Sequence, residues 1–186
     1  MDFKIIFERA KNIVSIPSKE WKKIQNEIVD RNDIIKNYAL PLIGFGSLTT
    51  LAGIALFGTL SSMHSLLLAI TTFITYFLGM FVSAFVINEI ALSFGSRKDI
   101  NVSFKLIIYS STPIYLALIV SGIHPEIFAF VKIFYFYSIY LFWLGITPLL
   151  NTPEDKKLGF VIVSISIFVI VSNMINQILV KLIPIY

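Results

Sequence analysis

Five long apolar stretches, separated by short connectors rich in helix breakers, constrain this chain more than any other feature. A helix needs about 20 residues to cross a hydrocarbon core of ~30 Å. Stretches near 38–60, 65–92, 105–123, 127–150 and 158–183 all meet that length. The connectors read "SSMHS", "SFGSRKDINVSF", "GIHPE" and "NTPEDKK", where Gly, Pro, Asn and Ser end one helix before the next begins. With 56% of residues hydrophobic and only 14% charged, the balance is that of a membrane protein. The expected fold is all-α: a five-transmembrane-helix bundle over residues 38–186, preceded by an amphipathic cytoplasmic segment over 1–37. No internal repeat is visible, so the inverted-repeat construction of many transporters has no support.

Charge distribution orients the bundle. Thirteen of the 15 Lys and Arg residues fall before the first span, in the second connector counted to Lys105, or in the fourth connector. The other two connectors carry none. The positive-inside rule then places the N-terminus and both basic connectors in the cytoplasm and the C-terminal "KLIPIY" outside. The net charge of +4 reads as topology and contact with anionic lipid, not as a nucleic-acid surface. The chain has no cysteine, which excludes disulfides, thiolate catalysis and cysteine-ligated metals. Its first residues, "MDFKIIFERAKNIV", alternate charged and apolar positions and do not resemble a removable signal peptide.

In the N-terminal segment, Phe3, Ile6, Phe7, Ala10, Ile13 and Val14 recur at helical spacing and leave Lys4, Glu8 and Lys11 on another face. That is the pattern of a helix lying in the membrane interface. Pro17 interrupts it, and Ser18 can cap a second helix whose apolar stripe is Trp21, Ile24 and Ile28. Phe3, Phe7 and Trp21 are therefore candidate interfacial contacts, toward lipid or a partner; the alternative is packing on the protein's own loops.

An ionisable group at membrane depth costs at least ~2.5 kcal/mol at a helix centre, which makes it the first functional suspect. The two candidates are Glu89, near the cytoplasmic end of the second span, and Lys132, inside the outer end of the fourth. Glu89 can pair with Arg97, Lys98 or Lys105; Lys132 can snorkel to the interface or meet the ring of Phe136. Tyr137 and Tyr140 face together within the aromatic run "FYFYSIYLFW", a pattern that packing explains better than a ligand cage. His64 and His124 fall in connectors expected outside and do not form a metal or haem site of the usual kind. There is no H-E-x-x-H, glycine-rich phosphate loop, G-x-S-x-G or aspartate pair within the spans. No catalytic residue, cofactor or metal is expected.

Pro113 stands in "YSSTPIYL" amid apolar sequence. Proline removes one backbone donor and pushes aside the carbonyl four residues earlier, while Ser110, Ser111 and Thr112 can satisfy the disturbed backbone. Pro113 and Thr112 thus mark a kinked packing site. Gly79 with Ser83, and Gly46 with Thr50, offer small faces for close helix contact, within the chain or with a second copy. Asn173 and Gln177 share a face of the fifth span and can hydrogen-bond across helices.

From "FGSRKDINVSFKLIIYSSTPIYLALIV" through "FYSIYLFWLGITPLLNTPEDKKLGFVIV" the chain resembles bacterial members of the Yip (Ypt-interacting protein) family. The N-terminal "IPSKEWKKI" also looks like the cytoplasmic entry of such proteins. The resemblance implies five membrane helices, a cytoplasmic N-terminus, residence in a bacterial inner membrane and no catalytic residues. The eukaryotic relatives' association with Rab-type GTPases does not carry over, because the "DLYGP"-type motif is missing from this sequence. The function expected is a non-enzymatic membrane protein that organises partners or lipid. The alternative is a small-solute transporter or channel, which should depend on Glu89 or Lys132.

Overall fold

The computed structural model describes residues 3–57, 62–123 and 128–182; the side chains of Phe57, Ser62, Ile123, residues 128–132, Val180 and Leu182 lie outside that description. Among the described residues every regular element is helical. Helices α1 (Phe3–Ser15) and α2 (Pro17–Asn26) form a hairpin. The short α3 (Arg31–Ile34) passes through a π turn, Ile35–Ala39, into α4 (Leu40–Phe57). Next comes α5 (Ser62–Ile90), ending in a 3-10 turn at Ala91–Phe94. Helices α6 (Ile100–Ser110) and α7 (Thr112–Ile123) are followed by α8 (Phe128–Leu150) and α9 (Glu154–Leu182). Among the described residues four helices are long and apolar enough to cross a membrane, and there are five if the pair α6–α7, bent by 40°, is one span.

Two spans begin earlier than their hydropathy suggests. The first helix starts at Arg31, where the Asp30 side chain accepts from the Asn32 amide. Its π turn widens one turn by a residue, so that Ile34, Ile35, Tyr38, Ala39, Leu42 and Ile43 all face inward. The third span starts at Ile100, because Asp99 accepts from the amides of Asn101 and Val102 at 3.1 and 3.2 Å, an N-cap. Burial opposes the Asp99 charge, but these amides and the Arg97 guanidinium outweigh it and hold the carboxyl below its usual range. The early start carries Lys105 from the first position of the span, where the sequence placed it, into a buried turn of α6.

The bend falls at Ser111, between hydroxyls that bond as their chemistry predicts. Ser110 Oγ donates to the Leu106 carbonyl at 2.6 Å, and Tyr38 Oη meets Thr112 Oγ1 at 2.8 Å. Pro113 is the second residue of α7, a first-turn position where the missing N–H costs least. The bend lets α7 cross α4 at close range. A β-carbon added at Gly122 would stand 2.5 Å from the Thr50 amide nitrogen, and one at Gly46 would stand 2.6 Å from Leu118. Gly79 approaches Ser172 of α9, and Ser83 is fully buried. Gly46, Gly79 and Ser83 thus serve helix contact within the chain.

The N-terminal hairpin and the bundle share one buried cluster. Its largest fully buried side chains include Ile13, Trp21, Phe104, Leu141, Ile146 and Phe160. This core fills the end of the bundle that carries the N-terminal segment and the connectors after α5 and α8. Those connectors are joined by Ser96 Oγ donating to Thr152 Oγ1 at 2.8 Å and by the Arg97 amide donating to the Leu150 carbonyl at 2.7 Å.

Candidate functional site

Two features stand out: the docked hairpin and a chamber among the spans. Trp21 is 1% exposed and lies under Gly145 of α8, against Leu106 and edge-on to Tyr109. The interfacial contact expected of Trp21 is therefore corrected. Only a glycine lets the α8 backbone come close enough to cover an indole, and that spacing was not legible from α2 alone. Arg9 joins the two helices of the hairpin, at 2.5 Å from both Glu20 and Glu27. Burial works against its charge, yet the Glu27 hydrogen bond, with Tyr109 and Glu20 nearby, raises its pKa further. Lys105 Nζ donates to the Glu27 carbonyl and ties the end of α2 to α6. Tyr137 Oη donates to the Val14 carbonyl at 2.6 Å, so this tyrosine anchors α1 while its ring packs on Tyr140.

Phe3 and Phe7 behave differently from Trp21. Both are exposed, at 56% and 69%, while Ile6, Ala10 and Ile13 on the adjoining arc of α1 are buried. Phe3 meets Phe45, itself exposed on α4, edge-on at 5.9 Å.

Glu89 is an exposed group paired with Lys98 at 2.6 Å, not a group buried at depth. The Lys132 side chain and His124 lie outside the described residues. His64 stands in the first turn of α5, not in a connector. Asn173 donates to the Val169 carbonyl of its own helix at 2.8 Å, where the sequence suggested a bond across helices. Among the described residues no group of three or more His, Cys, Asp or Glu side chains could hold a metal ion. A cation on an aromatic face does occur among the described residues: Lys157 Nζ lies 4.6 Å from the Trp143 ring centroid.

The chamber was not anticipated. It is a partly open cavity of about 650 Å³ between α5, the α6–α7 bend, α8 and α9. None of its lining residues is charged; hydroxyls and amides from all four walls alternate with Ile, Leu, Val and Phe. Tyr76 and Tyr135, both lining it, hydrogen-bond at 3.0 Å. Its polar groups along α9 run from Ser164 to Asn176, about 18 Å of helix. The chamber thus runs past the mid-span bend, from Ile87 and Ile107 on one side of it to Leu68 and Asn176 on the other.

Family comparison reads this architecture directly: the Yip1 domain matches residues 11–175, which is most of the chain. The chain belongs to the Yip1 domain family. Yip1-domain proteins are multi-span membrane proteins and in general non-enzymatic. Neither a curated protein nor a solved structure matches the chain significantly. Within this Yip1-domain protein the match covers Trp21, Arg9's carboxylate partners, the Pro113 bend and nearly all of the chamber, while Phe3 and Phe7 precede it.

Proposed function

We propose that this Yip1-domain protein is a non-enzymatic organiser of lipid and protein partners at the cytoplasmic face of a bacterial inner membrane. Its N-terminus and both basic connectors lie inside and its C-terminus outside. The observation that carries the reading is the division of α1 into three arcs. Ile6, Ala10 and Ile13 face the bundle; Phe3 and Phe7 form an exposed apolar strip; Lys4, Glu8 and Lys11 are exposed on the remaining side. A helix docked on its own protein has no use for that strip in water, whereas in the membrane interface each Phe gains about 1.5–3 kcal/mol on burial. Orientation is supported by the gathering of the hairpin, Arg97, Lys98, Lys105 and Lys157 at one end of the bundle.

A solute path is the second reading, and the chamber is what favours it. Against a continuous path stand the packed core toward the hairpin end of the bundle and the absence of any charged residue from the chamber lining. The two readings separate in a complementation assay of a deletion strain, with membrane abundance checked in each variant. We expect Glu89→Gln with Lys132→Met to retain full function, and Phe3→Ser with Phe7→Ser to lose most of it at normal abundance. Loss confined to the charge variant would instead support transport.

A further inference from the structure

We propose that the outward face of α2 is a binding surface for anionic phospholipid headgroups, held by Lys19, Lys22 and Lys23. The inference rests on the reading that places the hairpin at the membrane surface, and it names the class of lipid that the hairpin gathers.

Charge in the hairpin is sorted by side. Lys19, Lys22 and Lys23 stand at i, i+3 and i+4, so they share one face of α2, and all three are exposed. Glu20, Trp21 and Ile24 take the opposite face and are buried. The one acidic residue of α2 is therefore turned inward: Glu20 is 3% exposed and pairs with Arg9. Glu27, just past the end of the helix, pairs with the same guanidinium. Among the described residues none of the three lysines forms an ion pair. The rest of the exposed face is Ser18, Gln25 and Asn26, which carry no charge. Like charges one helical turn apart destabilise a helix, and an anion laid along the face relieves that repulsion.

The position of α2 decides which anion this is. Trp21 anchors the helix under Gly145 of α8 and against Leu106 of α6. Gly145 lies five residues before the end of α8 at Leu150, about 7.5 Å of helix. A headgroup layer is about 5–7 Å thick on each side of the hydrocarbon core. Helix α2 therefore lies along the flank of the spans at headgroup depth, with its lysines turned away from the bundle and toward the surrounding lipid. An acidic protein would have to reach this face sideways, through the headgroups. Every exposed residue of α2 is polar or charged, so the face suits headgroups and not acyl chains. Each ammonium brings three donors and a compact charge, which fit phosphate oxygens, and the net charge of the lipid then sets the preference.

The test uses the purified full-length protein in phosphatidylcholine vesicles. Since the chain has no cysteine, Asn26→Cys offers a unique site for a bimane fluorophore, one turn from Lys22 and Lys23 on the basic face. The probes are phosphatidylglycerol and phosphatidylcholine, each with a quenching nitroxide near the top of its acyl chain. We expect phosphatidylglycerol to reach half-quenching at about one fifth of the mole fraction that phosphatidylcholine needs, the scale of a single lysine near an anionic surface. The difference should vanish near about 1 M salt, where the screening length falls to about 3 Å. Adding Lys19→Gln, Lys22→Gln and Lys23→Gln should abolish the preference and leave the unfolding temperature unchanged or higher, while Lys→Arg at the same positions should keep it. Lys36→Gln with Lys156→Gln, exposed lysines outside the hairpin, should leave it intact. A preference that survives the Gln triple variant, or that falls equally in the Lys36 and Lys156 control, overturns the proposal. Equal quenching by both lipids overturns it in favour of an acidic protein partner while leaving the hairpin at the membrane surface. Absence of quenching by either lipid removes α2 from the membrane and overturns the underlying reading as well.

Discussion

Replacing Gly122 by Leu should abolish most of the folded protein, with thermal unfolding in detergent lowered by more than any other single change in the spans. The reason is backbone proximity. A β-carbon at this position meets the Thr49–Thr50 backbone of α4, which cannot rotate away as a side chain can. Overpacking a core typically costs about 1–3 kcal/mol, and a clash with backbone belongs at or above the top of that range. Even Gly122→Ala should destabilise. Gly44 supplies the control, since nothing lies within 4 Å of a β-carbon added there. Gly44→Ala should be neutral or stabilise by up to about 1 kcal/mol through helix propensity. Equal effects of Gly122→Ala and Gly44→Ala on unfolding temperature would mean that α4 and α7 do not cross as described.

The second large effect is expected at Trp21. Trp21→Ala removes a fully buried indole, and such truncations cost about 3–5 kcal/mol. Because α2 is docked chiefly through this side chain and Ile24, the loss should appear locally, as proteolysis of the 1–30 region while the spans stay intact. Trp21 Nε1 has no partner within the chain, so Trp21→Phe gives up no hydrogen bond and should retain most of the docking. Limited proteolysis of membranes, read by the size of the remaining fragment, distinguishes the two variants. A hairpin equally resistant in Trp21→Ala would show that Trp21 does not hold it.

These residues also show what a single sequence reveals and what it conceals. The spans were legible because hydropathy acts over some 20 residues and survives errors at either end. The bend at Ser111 was legible because proline imposes its geometry locally. Trp21 was harder: an aromatic on an amphipathic stripe looks the same whether its partner is lipid or Gly145, more than a hundred positions away. Lys105 read as the first residue of its span because the Asp99 cap, not hydropathy, sets the start of α6. Arg9 gave a faint signal, standing one turn from Ile6 and Ile13 on the apolar side of α1, with Glu20 in the next helix and Glu27 just past its end, a heptad apart, to receive it.

The chamber was missed for a physical reason. Attention to charge at depth passes over hydroxyls, which helices tolerate by bonding to their own backbone. The signal was nevertheless present: Thr71, Thr72 and Thr75 lie within one span, and Ser138, Ser164 and Ser172 in two others. Their convergence depends on how α5, α8 and α9 are rotated, and no single span encodes that rotation.

The most direct test of the membrane-organising role is the environment of α1 in lipid. Spin labels placed one at a time at residues 3, 4, 7 and 11 of the full-length protein in anionic vesicles report whether each position meets hydrocarbon or water, through relaxation by oxygen or by a water-soluble nickel chelate. Labels at Phe3 and Phe7 should be relaxed mainly by oxygen, and labels at Lys4 and Lys11 mainly by nickel, giving a helical alternation along the interface. Nickel-dominated relaxation at all four positions would place α1 wholly in water and contradict the role proposed for its exposed phenylalanines.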